Sequence, residues 1–218
     1  MRLYVTPMAP NAVRVQVIAL EKCVPLETVD VSATIKGEYL RLNPLGQVPA
    51  LELDDGELIT ESRTIAEYID AVSGAPYLFG STPEERARIG MWERRAEFML
   101  FLPGVEYGHH THPMFAQWIT QHPEWAATLV PRATQMTALI ADRLDHSLFL
   151  AGDEVSAADF TAALGYFALV AWGAIPQSDR ASVQAWSTAM LARSSMEPVR
   201  QAAQILEKAP EKPQGVEV

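Results

Sequence analysis

The hydrophobic pattern of this chain changes once, at a cluster of glycine and proline. Before Gly74, Pro76 and Gly80, short β-branched and aromatic runs alternate with helical stretches; after them the sequence reads as helices alone. A single all-α or all-β layer cannot accommodate both halves, so two differently built parts are required. Arg2 to Thr6 reads as a strand, and Ala12 to Lys22 as a helix with Val13, Val17 and Leu20 on its core face. Leu26 to Val31 reads as a second strand. A strand, a helix and a strand in this order predict two parallel strands. Ser32 to Leu42 reads as a loose connection with a weak helix. Val48 to Leu53 and Leu58 to Thr60 form a hairpin around the acidic turn Asp54-Asp55-Gly56-Glu57. Glu61 to Val72 reads as an amphipathic helix with Ile65, Tyr68 and Ile69 inside.

The predicted βαβ–ββα order is an α/β domain of the thioredoxin type over residues 1–75, followed by a linker over 76–82. An all-helical domain is expected over 83–208. Its first helix opens with Thr82, Pro83 and Glu85, a cap, a first-position proline and the acid of a capping box. That helix runs to about Gly104, or beyond it after a break at Pro103. Further helices are expected over 123–145, 157–171, 182–193 and 196–207, and a disordered polar tail over 209–218.

With 218 residues, 49% hydrophobic and 20% charged, the chain has enough apolar material for a core and a polar surface. Its formal net charge of −10 argues against nucleic acid and against an anionic membrane surface as partners. No apolar run is long enough to span a bilayer, and the N-terminus reads as a strand at once, without a signal-peptide core. One cysteine, Cys23, excludes an intrachain disulfide; the expectation is a buried small side chain in a cytoplasmic protein.

Three places carry candidate chemistry. Proline lacks a ladder donor, so Pro49 belongs at the start of its strand, where the backbone of Val48 is left free to pair with an extended ligand. Glu61 and Ser62 set a carboxylate and a hydroxyl at a helix start beside that edge. The helix near Pro10 has Ala9, a poor cap, before it, so its terminal N–H groups lack an obvious side-chain acceptor and favour an anion. Thr6 and Asn11 add polar groups there. The plainer alternative is a solvated helix start with Asn11 bonded to its own backbone.

Leu3-Tyr4-x-x-Pro7, Pro10-Asn11-Ala12, Leu42-Asn43-Pro44-Leu45-Gly46-Gln47-Val48-Pro49 and Glu61-Ser62 resemble, in order and spacing, the motifs of the soluble glutathione S-transferases. The resemblance covers about residues 1–207. It implies an enzyme that binds glutathione as co-substrate and activates its thiol for attack on a small electrophile, in a homodimer and without a metal. Carried over residue by residue, it implies that the Val48 backbone pairs with the cysteinyl unit of glutathione. Glu61 and Ser62 hold the γ-glutamyl end, and Gln47 and Lys36 meet the glycyl carboxylate. Thr6 and Asn11 approach the sulfur, with Asn11 as the catalytic group. The departures are Val5 and Ala9, which stand where other members place an activating tyrosine, serine or cysteine. Activation would then be electrostatic, and mixed-disulfide exchange through an enzyme cysteine is disfavoured.

Two rival functions stay open at the level of sequence: a glutathione-dependent peroxidase or disulfide reductase on the same fold, and a non-catalytic transferase-like regulator that binds a protein. Outside the motifs, Ser156 and Asp159 read as a structural capping box, so substitution of Asp159 is expected to damage folding before chemistry. His109, His110 and His112 are tempting as metal ligands, but Pro113 breaks the helix and no third ligand is placed; the reading is no metal. The resemblance, in which the long first helix of the second domain faces the cleft, implies Arg94, Arg95, Phe98, Met99, Leu102, Tyr107 and His110 as walls of the electrophile pocket. Core packing is the competing assignment for Phe98, Met99 and Leu102, and Trp118, Trp125, Trp172 and Trp186 are expected in core or interface.

Overall fold

The computed structural model describes residues 1–208, with side chains through 204. The expected tail over 209–218 lies outside the described residues. The chain forms two compact units: Met1–Ala87 with Ala192–Pro198, and Arg88–Leu191 with the described residues from Val199 on.

The first unit is built on four strands, β1 (Arg2–Val5), β2 (Glu27–Asp30), β3 (Ala50–Glu52) and β4 (Leu58–Ile59), in the order β2-β1-β3-β4. β1 pairs parallel with β2, as the intervening helix α1 (Pro10–Glu21) requires, and antiparallel with β3. The hairpin β3–β4 completes the sheet. Alternation along β1 assigns its two faces: Leu3 and Val5 are buried on one, and Tyr4 turns to the other. There Tyr4 joins Val31, Tyr39 and Ala50, covered by the short helix α2 (Tyr39–Leu42). α3 (Ser62–Ser73) packs on α1 and on β3, with Ile65 and Ile69 fully buried and Tyr68 half-buried rather than inside. On α1, Leu20 is half exposed instead of in the core, because it shares the outward stripe of Gln16.

Residues 76–79, read as part of a linker, are held in place, together with Gly74 before them. Lys22 donates to the carbonyls of Gly74 and Pro76 and pairs with buried Asp70 at 3.0 Å. The other face of that pair is satisfied too, since the Asp70 carboxylate accepts the N–H groups of Leu78 (2.8 Å) and Phe79 (3.0 Å). A charge pair this buried persists because every remaining polar atom around it is bonded. Arg193 and Ser195, from the returning segment, hold Glu21 at the end of α1; burial opposes its charge, but these bonds outweigh it and keep its pKa below the usual range.

The second unit is helical. α4 (Pro83–Ala96), whose first residues belong to the first unit, opens on the expected capping box, with Glu85 Oε2 accepting from the N–H groups of Ser81 and Thr82, and Thr82 Oγ1 accepting from Glu85. Pro103 does not break it. The missing N–H is absorbed by a π-helical turn over Glu97–Phe101, and α5 (Leu102–Thr111) continues directly. The helix expected over 123–145 is instead two, α6 (Pro123–Ala127) and α7 (Val130–Leu144). Pro131 fits only the first turn of a helix, so a new one begins just before it. α8 (Ala157–Ala171) is buried along most of its length, and α9 (Ala181–Ala192) and α10 (Glu197–Lys208) follow. The α8 capping box is present, and Asp159 has no exposed surface. Its carboxylate accepts from Leu150 N–H, Ser156 N–H and Oγ–H, and Trp186 Nε1–H; burial nonetheless pushes its pKa up.

Candidate functional site

The turn before α1 is set by its sequence. Ala9 N–H donates to Thr6 C=O at 3.2 Å, with Pro7 at the second position and Met8 at φ 63° in the third. A proline followed by a left-handed residue defines a type II turn, whose third position favours glycine, so methionine there is strained. The helix then starts without a side-chain cap: Ala9 has nothing to offer and Pro10 takes the first position. α3 starts in the same way. Glu61, before it, has φ 66° and ψ 110° and makes no capping bond. Among the described residues, two of the three non-glycine residues with positive φ therefore flank uncapped helix starts.

These two starts meet. Ser62 Oγ donates to Asn11 Oδ1 at 2.8 Å, tying the first turn of α3 to the first turn of α1. Ser62 is buried and Asn11 half-buried. Each helix presents unsatisfied first-turn N–H groups and the positive end of its dipole, so their junction is suited to an anion.

The third part is the approach to β3. The Val48–Pro49 bond is cis. Gln47 C=O is held from both sides, by Tyr39 Oη and by Asn43 Nδ2, each at 2.8 Å. No backbone hydrogen bond of Val48 is present among the described residues. Extending the β1–β3 register beyond Tyr4–Ala50 places Val48 opposite Thr6, at the strand end that leads to α1. Thr6 is half-buried, and the side chains of Gln47 and Lys36 are exposed. No hydrogen bond or ion pair among the described residues links Thr6 Oγ1, Lys36 or the Gln47 side chain to the Asn11–Ser62 pair.

The departures at Val5 and Ala9 take physical form. Val5 is buried, and Tyr4 is committed on the far face, where its hydroxyl donates to Glu52; that bond and burial raise its pKa. None of the residues from Thr6 to Asn11, which form the turn and the start of α1, is a tyrosine, serine or cysteine. Cys23 is exposed, not buried as expected. α1 ends in paired bonds, Cys23 N–H to Leu20 C=O (3.1 Å) and Val24 N–H to Ala19 C=O (2.8 Å), which put Cys23 in a left-handed conformation beyond the helix.

Sequence reasoning missed Arg14. It is 4% exposed, and its Nε–H and Nη2–H donate to Ser62 Oγ at 3.2 and 2.6 Å. The signal was there: an arginine within the apolar run Ala12-Val13-Arg14-Val15, three residues after Asn11 and so on the same helix face.

In the second unit the histidines serve local structure. His110 Nδ1 accepts from His122 N–H at 3.1 Å and His112 Nδ1 from Met114 N–H at 3.3 Å, while His109 lies edge-on to Phe115. No cluster of three metal-ligating side chains occurs among the described residues. Phe98 is half exposed beneath the Arg94 guanidinium rather than in the core; Leu100 and Phe101 of the π-turn take the core positions. Trp118 and Trp125 are likewise exposed, and Trp186 is buried.

The fold is that of a thioredoxin-like domain joined to a helical region, and the comparisons with known proteins give its family. A family model described as glutathione S-transferase, N-terminal domain, matches residues 9–72. Glutathione S-transferase 2 of Saccharomyces cerevisiae is 35% identical over 205 residues, spanning 90% of this chain and 88% of that protein. Among solved structures, Gtt2 from Saccharomyces cerevisiae superposes with TM-score 0.79 at 32% identity, covering 93% of this chain and all of that one. A glutathione S-transferase domain-containing protein from Marinobacter aquaeolei VT8 gives 0.80 at 33%, covering 90% of this chain and 100% of its own. The chain belongs to the glutathione S-transferase family and is a transferase enzyme.

Proposed function

We propose that this protein conjugates glutathione to a small electrophile, with the thiolate held at the start of α1 and stabilised there without an acidic or basic side chain. The observation that carries the reading is the junction of two uncapped helix starts through the Asn11–Ser62 bond. Glutathione would lie extended along Val48, its cysteinyl unit pairing with the free backbone there. Its γ-glutamyl ammonium suits the Glu61 carboxylate, and its γ-glutamyl carboxylate suits the first-turn amides of α3. Gln47 and Lys36 are the candidates for the glycyl carboxylate, and Thr6 for a further contact near the sulfur.

A thiol at a helix start has a depressed pKa, which raises the reactive thiolate fraction at neutral pH. Binding then supplies proximity between thiolate and electrophile. The same reading carries the thioredoxin-like domain at 1–75, the helical domain at 83–208, a homodimer and a cytoplasmic setting as expectations of the family. No helix among the described residues is long and apolar enough to cross a membrane.

The test is a pH titration of the bound glutathione thiol by thiolate absorbance, in wild type and Asn11→Ala. The expected result is a bound pKa below the ordinary thiol value of about 8.5, raised by the substitution. Glutathione that binds with an unshifted thiol would overturn the reading.

A further inference from the structure

Resting on the glutathione site just proposed, the geometry points to Tyr39 and Asn43 as its positioning residues: by holding the Gln47 carbonyl, they aim the Val48 N–H at the cysteinyl carbonyl of the ligand. A peptide unit is planar, and in its trans form the C=O and the N–H that follows it point in opposite directions. The Gln47–Val48 bond is trans. Whatever fixes the direction of the Gln47 C=O therefore fixes the direction of the Val48 N–H. Two donors fix it, Tyr39 Oη at the start of α2 and Asn43 Nδ2 just beyond its end, each at 2.8 Å. The carbonyl points to the α2 side, so the N–H points away from it.

The turn between α2 and β3 closes without these bonds. Asn43 C=O accepts from Gly46 N–H at 2.9 Å, and Asn43 Oδ1 accepts from Leu45 N–H at 3.3 Å. With Oδ1 so occupied, Nδ2 is the amide atom left to face the Gln47 carbonyl. Burial raises the pKa of Tyr39, against a smaller opposing effect of Asn43, so its hydroxyl stays a protonated donor at neutral pH. No other hydrogen bond of the Gln47 C=O, and none of the Val48 N–H, is present among the described residues. Pro49, next along, has no N–H to add. Without the two donors this peptide unit is free to rotate about its flanking single bonds, and a ligand would have to order it on binding. The clamp orders it in advance. An N–H needs an acceptor, and the acceptor of an extended cysteinyl unit is its carbonyl. Tyr39 and Asn43 are each 3% exposed, too buried to meet the ligand themselves, so they act on it through Val48.

The experiment titrates S-methylglutathione, which has no thiol to ionise, into wild type, Tyr39→Phe and Asn43→Ala, each isotope-labelled at valine. It reads the Kd together with amide hydrogen exchange at Val48. In wild type, the Val48 amide is expected to exchange rapidly in the free protein and to be slowed about tenfold or more at saturating ligand. Each variant is expected to weaken binding about fivefold and to lose about the same factor of the protection that the ligand confers on Val48. The amides of Val15 and Val17, inside α1, are expected to keep their wild-type exchange. Faster exchange there as well would reduce Tyr39 and Asn43 to a structural role and overturn the inference. So would a wild-type Kd with wild-type Val48 protection in Tyr39→Phe, or a weakened Kd with that protection intact. Asn43→Ala also removes the Leu45 contact, and if it fails to fold Tyr39→Phe decides alone. Binding of S-methylglutathione to wild type with no protection of Val48 sinks this inference and leaves glutathione binding standing. A wild type that does not bind S-methylglutathione fails the proposed site itself.

Discussion

Cys23 shows how a single residue is placed by backbone closure rather than by its own chemistry. A thiol in an otherwise apolar helical stretch suggests burial, yet the bonds that end α1 demand a left-handed residue at that point, and a left-handed residue beyond a helix end faces solvent. A side chain with a Cβ is strained there. Cys23→Gly is therefore expected to stabilise the protein by about 0.5–1 kcal/mol, the relief of strain less the extra freedom of glycine in the unfolded chain. Urea unfolding measures it, and a lower midpoint would show that the turn does not carry the strain. Glu61 and Met8 hold comparable backbone strain, but at the candidate site, where the same relief would move the groups that the ligand is proposed to meet.

At the scale of elements, prolines and one glycine decide what the apolar pattern leaves open. Pro131 splits one expected helix into α6 and α7, while Pro103 is absorbed by the π-turn at Glu97–Phe101. The difference is packing. The π-turn lies against α8, and Gly165 of α8 lets the two backbones approach so closely that an added Cβ would stand 2.5 Å from Phe101 N and 2.6 Å from Leu100 C. No side chain can rotate away from a backbone atom. Gly165→Ala should therefore cost about 3 kcal/mol or more. The thermal midpoint and soluble yield measure this, and a midpoint within error of wild type would show that α8 and the π-turn separate without cost.

At the scale of the whole molecule, stability is expected to depend on pH through α5. Burial lowers the pKa of His109 and of His112 below the ordinary histidine value of about 6.5; for His109, Glu106 opposes the shift and His110 adds to it. The unfolded chain then binds more protons than the folded one below that value. The stabilisation is fully present above pH 6.5 and is lost as pH falls through it toward the folded pKa values. The thermal midpoint should fall between about pH 7 and pH 5, with a shallower fall in His109→Gln. Identical profiles in wild type and variant would contradict the assignment.

Much of this molecule was legible in its sequence, because period, caps and turn residues are local properties. The βαβ–ββα order, the capping boxes at Thr82 and Ser156 and the uncapped start at Ala9 all follow from neighbours a few residues apart. So do the motifs that tie the chain to its family. Only the tertiary structure could decide what depends on residues distant in sequence. Val48 and Thr6 are brought opposite by strand register, and Lys22 reaches Asp70 and the segment beyond it only once α1 and α3 have packed. The Arg14–Ser62–Asn11 contacts span about fifty positions; the apolar run marks Arg14 as out of place, but nothing along the chain names its partner. A hydrogen bond between two helix starts exists only after packing has set them side by side, and packing is a property of the whole fold.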